Sequence, residues 1–318
     1  MDRSMERVFI TGASGYIAGK LLSLLSGKTE VKQIVGIDIK EPSISLEKFT
    51  FYRKDVREPV DHILKDHDID TVVHTAYIVP PIHDEKLMED VNVNGTRNIL
   101  SACSEAGVKQ LLYTSSATAY GFHPDNDHPL TEDSPLRGND DFTYSKTKKE
   151  IEGIFSEFVT ANPEIAVTII RPAFVVGPGF DDPLARHLRK RVVLLPSNTQ
   201  PFQFVHEDDL VEIIYLLLKK GAAGAFNVGA DGTVTSDETV GLLGNIQVRI
   251  PFHLMYLLTG LAWNLRLSFI TEFPAPALNI SRYSWVISSE KLKGELNYQY
   301  RYTSLEAYRD FAEFVKRR

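Results

Sequence analysis

Tyr144 and Lys148 stand four residues apart in Tyr144-Ser145-Lys146-Thr147-Lys148. On a helix, positions i and i+4 share a face. An ammonium beside a phenol stabilises the phenolate and lowers the tyrosine pKa toward working pH, which suits general acid–base chemistry. Pairs with this spacing are common by chance, so this one needs partners to carry meaning. Thr114-Ser115-Ser116-Ala117-Thr118-Ala119-Tyr120-Gly121 follows an apolar run. A hydroxyl there can bond the oxygen that gains or loses a proton. The plainer reading is that Ser115 and Ser116 only cap a strand end. Asn94, in Asn94-x-x-Arg97, is a candidate to hold a backbone carbonyl or a water near the lysine.

The element that must position this chemistry is Arg7 to Gly19, which reads as a short apolar strand, a glycine turn and the start of a helix. Gly12 and Gly15 let the turn be tight and let a ligand approach the backbone. The helix that opens there points free N–H groups and its positive dipole end at the turn, a seat for a diphosphate. Gln33-Ile34-Val35-Gly36-Ile37-Asp38 is a second buried-type strand ending in an acid. An acid at that place accepts from the adenosine ribose hydroxyls. Its charge repels a 2′-phosphate and so favours NAD over NADP, although Lys40 lies close by.

The rest of the chain keeps the same alternation. Strand character is expected at 51–57, 69–77, 110–116 and 167–172. Helical pattern is expected at 85–106 and from about Tyr144 to Ala161. That alternation predicts an α/β fold, a doubly wound Rossmann-type parallel sheet with helices on both faces. After Gly177-Pro178-Gly179 the organisation changes. Residues 180–198 read as basic and loop-like, 202–206 and 225–229 return to strand, 208–220 to helix, and 233 onward is mostly helical. The expected division is a cofactor domain over 1–179, with 202–230 returning to it, and a smaller, mostly helical substrate lobe from 180–201 and 231–318.

With 43% hydrophobic and 24% charged residues, the composition is that of an ordinary soluble globular chain. A net charge of −7 argues against a nucleic-acid partner. The single Cys103 excludes an intrachain disulfide and fits a reducing compartment, so a cytoplasmic location is expected. Met1 to Glu6 runs straight into the first strand, leaving no room for a signal peptide. The nine histidines are scattered without ligand spacing, so no metal is expected. Residues 251–271 are apolar but interrupted by His253, Asn264 and Arg266, too short a run for an integral membrane span. Leu254, Leu257, Leu258, Leu261 and Leu265 fall at helical spacing. A buried or pocket-lining helix is the expectation there, with a membrane-surface or subunit-contact helix as the alternative.

Taken together, the motifs resemble the extended short-chain dehydrogenase/reductase family, in its epimerase/dehydratase branch. The pieces are Thr11-Gly12-x-x-Gly15, Asp38, Asp55-Val56, His74-Thr75-Ala76, Asn94-Gly95-Thr96, Ser115-Ser116-Ala117-Thr118-x-Tyr120-Gly121, Tyr144-x-x-x-Lys148, Arg171-Pro172, Val205-His206-x-Asp208-Asp209 and Asn227-Val228-Gly229. The resemblance implies an NAD-dependent enzyme acting on a small-molecule substrate. Gly12, Ser14, Gly15, Tyr16 and Ile17 would hold the pyrophosphate, Asp38 the ribose, and Asp55 with Val56 the adenine. Thr75, Ala76, Tyr77, Asn94, Thr114 and Pro172 would line the cofactor. Tyr144 would be the acid/base, Lys148 would bind the nicotinamide ribose and tune the phenol, and Ser116 would orient the substrate oxygen. A homodimer through helices near 94–106 and 144–160 is also a family expectation.

Departures from the pattern bear on the substrate. Ala18 stands where a third glycine is usual, a mild change. Sugar-nucleotide dehydratases carry an Asp-Glu pair where this chain has Ala117-Thr118, which disfavours water elimination. Nucleotide-sugar enzymes often place an arginine where Phe202 stands, in Gln200-Pro201-Phe202-Gln203-Phe204, and a phenyl ring cannot neutralise a phosphate. Arg186, Arg189, Lys190, Arg191 and Arg282 are the candidates to compensate. The expected reaction is hydride transfer at a secondary alcohol or ketone of apolar character. A nucleotide-sugar 4-epimerase with bound NAD is the alternative, and a silent dinucleotide sensor is a third reading.

Overall fold

The computed structural model describes residues 5–317, so the opening Met1–Ser4 of the leader reading lies outside the described residues. In chain order the first half gives β1 (Arg7–Thr11), α1 (Tyr16–Ser26), β2 (Gln33–Asp38), β3 (Phe49–Arg53), α2 (Asp61–Asp66), β4 (Thr71–His74), α3 (Glu85–Glu89), α4 (Gly95–Ala106), β5 (Gln110–Thr114) and α5 (Thr143–Ala161). A π-helical turn, Asp90–Asn94, joins α3 to α4, and a 3₁₀ turn, Ala117–Tyr120, follows β5. Then come β6 (Ala166–Pro172), β7 (Phe174–Val176), α6 (Pro183–Leu188), β8 (Val192–Pro196), β9 (Phe204–His206), α7 (Glu207–Lys220) and β10 (Gly224–Val228). The chain ends with α8 (Ser236–Leu243), β11 (Ile246–Ile250), α9 (Phe252–Asn264), α10 (Asn279–Arg282), α11 (Glu290–Leu296) and α12 (Ser304–Lys316).

Seven parallel strands form the central sheet in the order β10-β6-β5-β4-β1-β2-β3. β1, β4 and β5 are near-continuous apolar runs because helices cover both sheet faces. On one face α1 and α7 pack with Leu21, Leu22, Leu25, Ile213, Ile214 and Leu217 fully buried. On the other, α2, α4 and α5 bury Ile63, Ile99, Leu100, Ile151 and Phe155. Each such side chain contributes about 1.5–3 kcal/mol. The strand order reverses between β1 and β4, where the register pairs Thr11 with His74. His74 in turn pairs with Tyr113 of β5. The residues leaving these strand ends therefore converge on one crevice, the place where open α/β sheets bind ligands.

One of the sequence expectations needs correction. The segment 180–198 is not loop alone: it holds α6 and β8. The region after 233 is mostly helical as expected, with one strand, β11, that pairs in parallel with β8. Partners 54 residues apart on a two-stranded sheet leave no local signal of their pairing. The chain from 174 to 204 packs with α8 and α12 in a core of its own around Phe180, Val193, Phe204, Tyr308 and Phe311.

Candidate active site

The glycine turn has the shape of a cradle. Gly12 is left-handed, with φ +69°, and a Cβ on it would lie 2.8 Å from the Ala76 Cα. A Cβ on Gly15 would lie 3.0 Å from the Gly12 carbonyl oxygen. Gly15 caps α1 with no side-chain hydrogen bond, so the first N–H groups of that helix keep their capacity for an anion. Tyr16 lies across the exit, its ring over Gly179 and its hydroxyl buried without a hydrogen-bond partner. Ile17 is half-buried in the first turn, and Ala18 is buried without strain. Asp38 accepts from the Ser14 N–H at 3.1 Å and from the Lys40 N–H at 3.1 Å. Its carboxylate thus ties β2 to the turn and stays at the crevice. These features fit a dinucleotide.

The remaining cofactor-side residues divide into three groups. Thr75 donates to the Thr11 carbonyl at 2.6 Å, Ala76 N–H donates to the Thr11 hydroxyl at 3.1 Å, and Thr114 donates to the His74 carbonyl at 3.2 Å. These side chains and amides knit the strand ends together. Asp55 accepts from Arg57, which holds its carboxyl below the usual carboxylate range. Arg57 also pairs with Asp90 at 2.6 Å. Val56 is buried against Gly95, and its carbonyl accepts from Asn98 at 2.8 Å. Pro172 closes β6 beside Val228. Asn94 departs from expectation: it is exposed on the π-helical turn and donates to Asp90 at 2.7 Å. The asparagine that holds a loop is Asn92, buried, accepting from Ile78 N–H at 2.8 Å and donating to the Ile78 carbonyl at 3.4 Å. The extra residue of the π turn rotates the following side chains, which no helical periodicity reveals.

α5 brings Tyr144 and Lys148 to one face, as the spacing predicts. Lys148 is 3% exposed, donates to the Thr114 carbonyl at 2.9 Å and to the Tyr113 hydroxyl at 3.2 Å, and lies 3.7 Å from the Tyr77 ring centroid. Burial pulls its pKa down to about 7, and the Glu152 carboxylate opposes that shift. Its ammonium is 5.8 Å from the Tyr144 ring centroid. Tyr77 meets Tyr144 edge-on at 5.4 Å, and its hydroxyl bonds the Thr147 hydroxyl. Burial raises the Tyr144 phenol above its ordinary value, and the Ser116 hydroxyl works in the other direction. Ser116 accepts from the Thr118 N–H at 3.2 Å as cap of the 3₁₀ turn, which leaves its own proton to donate.

Ser115 is spent elsewhere. It donates to Glu152 at 2.5 Å, Glu152 forms a buried ion pair with Arg171 at 2.7 Å, and Arg171 donates to the Tyr120 hydroxyl at 2.7 Å. Tyr120 then donates to Asn227 at 2.8 Å. The Arg171, Tyr120 and Asn227 of the sequence motifs are therefore a support running from β5 to β10. His74 is equally structural, between the Thr11 and Thr96 hydroxyls at 2.7 and 3.0 Å, and burial lowers its pKa to about 3, so it is neutral.

Two further groups adjoin Tyr144: sequence reasoning named Thr118 only as part of its motif and missed Asp182. The Thr118 hydroxyl is buried near the Tyr144 phenol with no hydrogen-bond partner. Asp182 caps α6 by accepting from Ala185 N–H at 2.8 Å, and its charge adds to the upward push on Tyr144. It lies in the stretch read as loop, so only the fold brings it here.

The packing that continues from Tyr144 is aromatic. Phe142 lies 6.1 Å from Tyr144, and Trp285 lies 5.6 Å from Phe122 and 4.9 Å from Phe174. Phe174 in turn is 5.7 Å from Phe202. Of the candidate arginines for the charge absent at 202, Arg186 is bound to Glu272 at 2.5 Å and Arg189 to Asp181 at 3.1 Å. Arg282 stacks 4.4 Å from the Phe252 ring centroid. A cavity of about 290 Å³ lies between the 80–83 loop, α6 and α9, with Trp263 stacked on His83 at 3.9 Å. Among the described residues no His, Cys, Asp and Glu cluster has the makings of a metal site.

Residues 8–229 match the NAD-dependent epimerase/dehydratase family. The chain belongs to that family. Membership makes NAD its cofactor and agrees with the cradle at Gly12–Gly15. The chain is 28% identical over 313 residues to an uncharacterised protein of Mycobacterium tuberculosis, covering 96% of this chain and 82% of that one. It is 29% identical over 230 residues to the N-acetyl-α-D-glucosaminyl-diphospho-ditrans,octacis-undecaprenol 4-epimerase of Escherichia coli O157:H7, covering 69% and 65%. The fold is similar to that of the Thermus thermophilus UDP-glucose 4-epimerase complex with NAD, with TM-score 0.77, 20% identity and coverage of 98% and 99%.

Proposed function

We propose that this family member transfers hydride between NAD and the carbinol or carbonyl carbon of a secondary alcohol or ketone. The observation that carries the reading is the trio of buried Ser116, buried Lys148 and half-buried Tyr144 at the crevice beside the glycine cradle. NAD, when bound, accepts or returns the hydride. Tyr144 accepts the hydroxyl proton in the oxidative direction and donates it in the reductive one. Ser116 donates a hydrogen bond to the same oxygen, and Thr118 offers a second hydroxyl beside it. Lys148, when charged, favours the phenolate against the upward pull of burial. Asp38 selects NAD by repelling a 2′-phosphate. The aromatic packing that continues from Tyr144 through Phe142 toward Phe202 and the engagement of Arg186 and Arg189 with carboxylates favour a substrate of apolar character over a diphosphate gripped by arginine.

A second reading is supported by the named relative: a 4-epimerase, in which the same residues would move the proton while one carbon is oxidised and re-reduced against an NAD that stays bound. The two separate in one experiment. The purified protein is given NAD with apolar secondary alcohols or with UDP-glucose, following cofactor absorbance and the sugar epimers. Net reduction of free NAD with the alcohols supports the first reading. Epimer without net reduction supports the second. Turnover unchanged by Tyr144→Phe would overturn both.

A further inference from the structure

The outer surface of the C-terminal lobe does not look like the rest of the molecule. Fifteen large apolar side chains are exposed among the described residues, and eleven of them lie between 192 and 270. α9 buries Met255, Thr259 and Ala262. Its row of Leu254, Leu257, Leu258, Leu261 and Leu265 points to solvent instead, with Leu257 58% and Leu265 68% exposed. At 100° per residue the row covers an arc of about 100°. This corrects the expectation that these leucines belong to a buried or pocket-lining face: Trp263 lines the cavity, but the leucines do not.

The two-stranded sheet adds a second apolar face. Val193 and Leu195 of β8 point into the core, so Val192 and Leu194 point out. The register sets Ile246 beside Val192 and Val248 beside Leu194, and all four are exposed. Phe269, 77% exposed, and Ile270 follow α9. Lys190, just before β8, reaches the Phe269 carbonyl at 3.5 Å, so the two segments adjoin.

Charge says what covers this surface. Residues 183–200 and 239–271 contain six lysines and arginines and no Asp or Glu, in a chain of net charge −7. Arg186, Arg189 and Arg249 are paired with carboxylates from outside these segments. Lys190, Arg191 and Arg266 make no ion pair among the described residues, and Arg191 and Arg266 are exposed at the margin of the apolar rows. We propose that this surface docks the protein on an anionic phospholipid bilayer, with α9 in the headgroup plane, its leucines toward the acyl chains and Lys190, Arg191 and Arg266 on lipid phosphates. A second copy fits less well, because a two-fold contact sets this unbalanced positive charge against itself. No helix among the described residues is long and apolar enough to cross a membrane, so the contact is with the surface.

The test is sedimentation of the full-length protein with vesicles of phosphatidylglycerol and phosphatidylcholine, against phosphatidylcholine alone, at low and high salt. Binding to the anionic vesicles that weakens with salt is expected. Leu257→Asp with Leu261→Asp is expected to reduce it roughly tenfold or more, and Arg191→Glu with Arg266→Glu to remove the preference for anionic lipid. NAD binding, which none of these positions touches, shows that each variant is folded. No sedimentation with either vesicle overturns the proposal, as does binding that the leucine pair leaves intact. A wild-type oligomer that the leucine pair dissolves, without vesicle binding, assigns the face to a second copy and also overturns it.

Discussion

The sheet's C-terminal edge and the outer face of α9 handle their awkward residues in opposite ways. At the sheet edge, charged and polar groups are buried and nearly every one is answered: Glu152 by Arg171 and Ser115, Lys148 by Thr114 and Tyr113, His74 by two threonines. On α9, apolar groups are exposed and unanswered. Buried charge without a partner is costly, so the first region is rigid and over-determined. Exposed leucines cost little within one isolated chain, so the second region is free to carry a surface function.

Substitutions test this contrast unequally. The largest effect is expected for Tyr144→Phe, which should cut turnover by about 10³-fold or more while NAD still binds, as measured by steady-state rates and cofactor titration. Comparable turnover would remove the acid/base role from the sheet edge. Next, Glu152→Gln leaves Arg171 buried against a neutral partner and should destabilise by about 3–5 kcal/mol in denaturant unfolding. A loss under 1 kcal/mol would show the support to be dispensable.

Lys148→Met should go the other way. Burial depresses the Lys148 pKa to about 7 from its ordinary 10.5, so the unfolded chain binds more protons between those values. Stability therefore rises with pH across that window, and the charged lysine costs most at pH 7 and below. The methionine variant should be more stable at pH 6 by roughly 2 kcal/mol, after allowing for the lost bonds to Thr114 and Tyr113, and the gain should shrink by pH 10. A pH-independent difference would contradict the burial argument. The smallest effect belongs to α9. Leu258→Ser should change stability by less than about 0.5 kcal/mol, whereas Leu21→Ala in the core should cost about 2–5 kcal/mol. Similar losses at the two leucines would mean that α9 is covered in the isolated protein.

The chemistry was the most legible part of the sequence. Tyr144 and Lys148 share a face because a helix repeats every 3.6 residues, and Gly12 turns because it alone tolerates φ +69° there. Asp38 falls at the end of β2, where the strand pattern sets it. Ser115 and Ser116, by contrast, are equivalent in sequence and opposite in use. One serves Glu152 of α5, and the other caps a turn beside Tyr144. Asn94 faces solvent while Asn92 holds the loop, in a π turn that helical periodicity does not signal. Asp182 comes near Tyr144 only through α6, and β8 finds β11 only across the lobe.

The sequence alone determined most of the local elements, the glycine turn and the placing of Tyr144 and Lys148 on one helix face, because these depend on periodicity, glycine conformations and residue chemistry within a few positions. The tertiary structure decided which hydroxyl is free, which asparagine holds the loop and which face of α9 meets water. Those outcomes depend on partners distant in the chain, and an apolar helix reads the same whether its leucines are covered by protein or left bare.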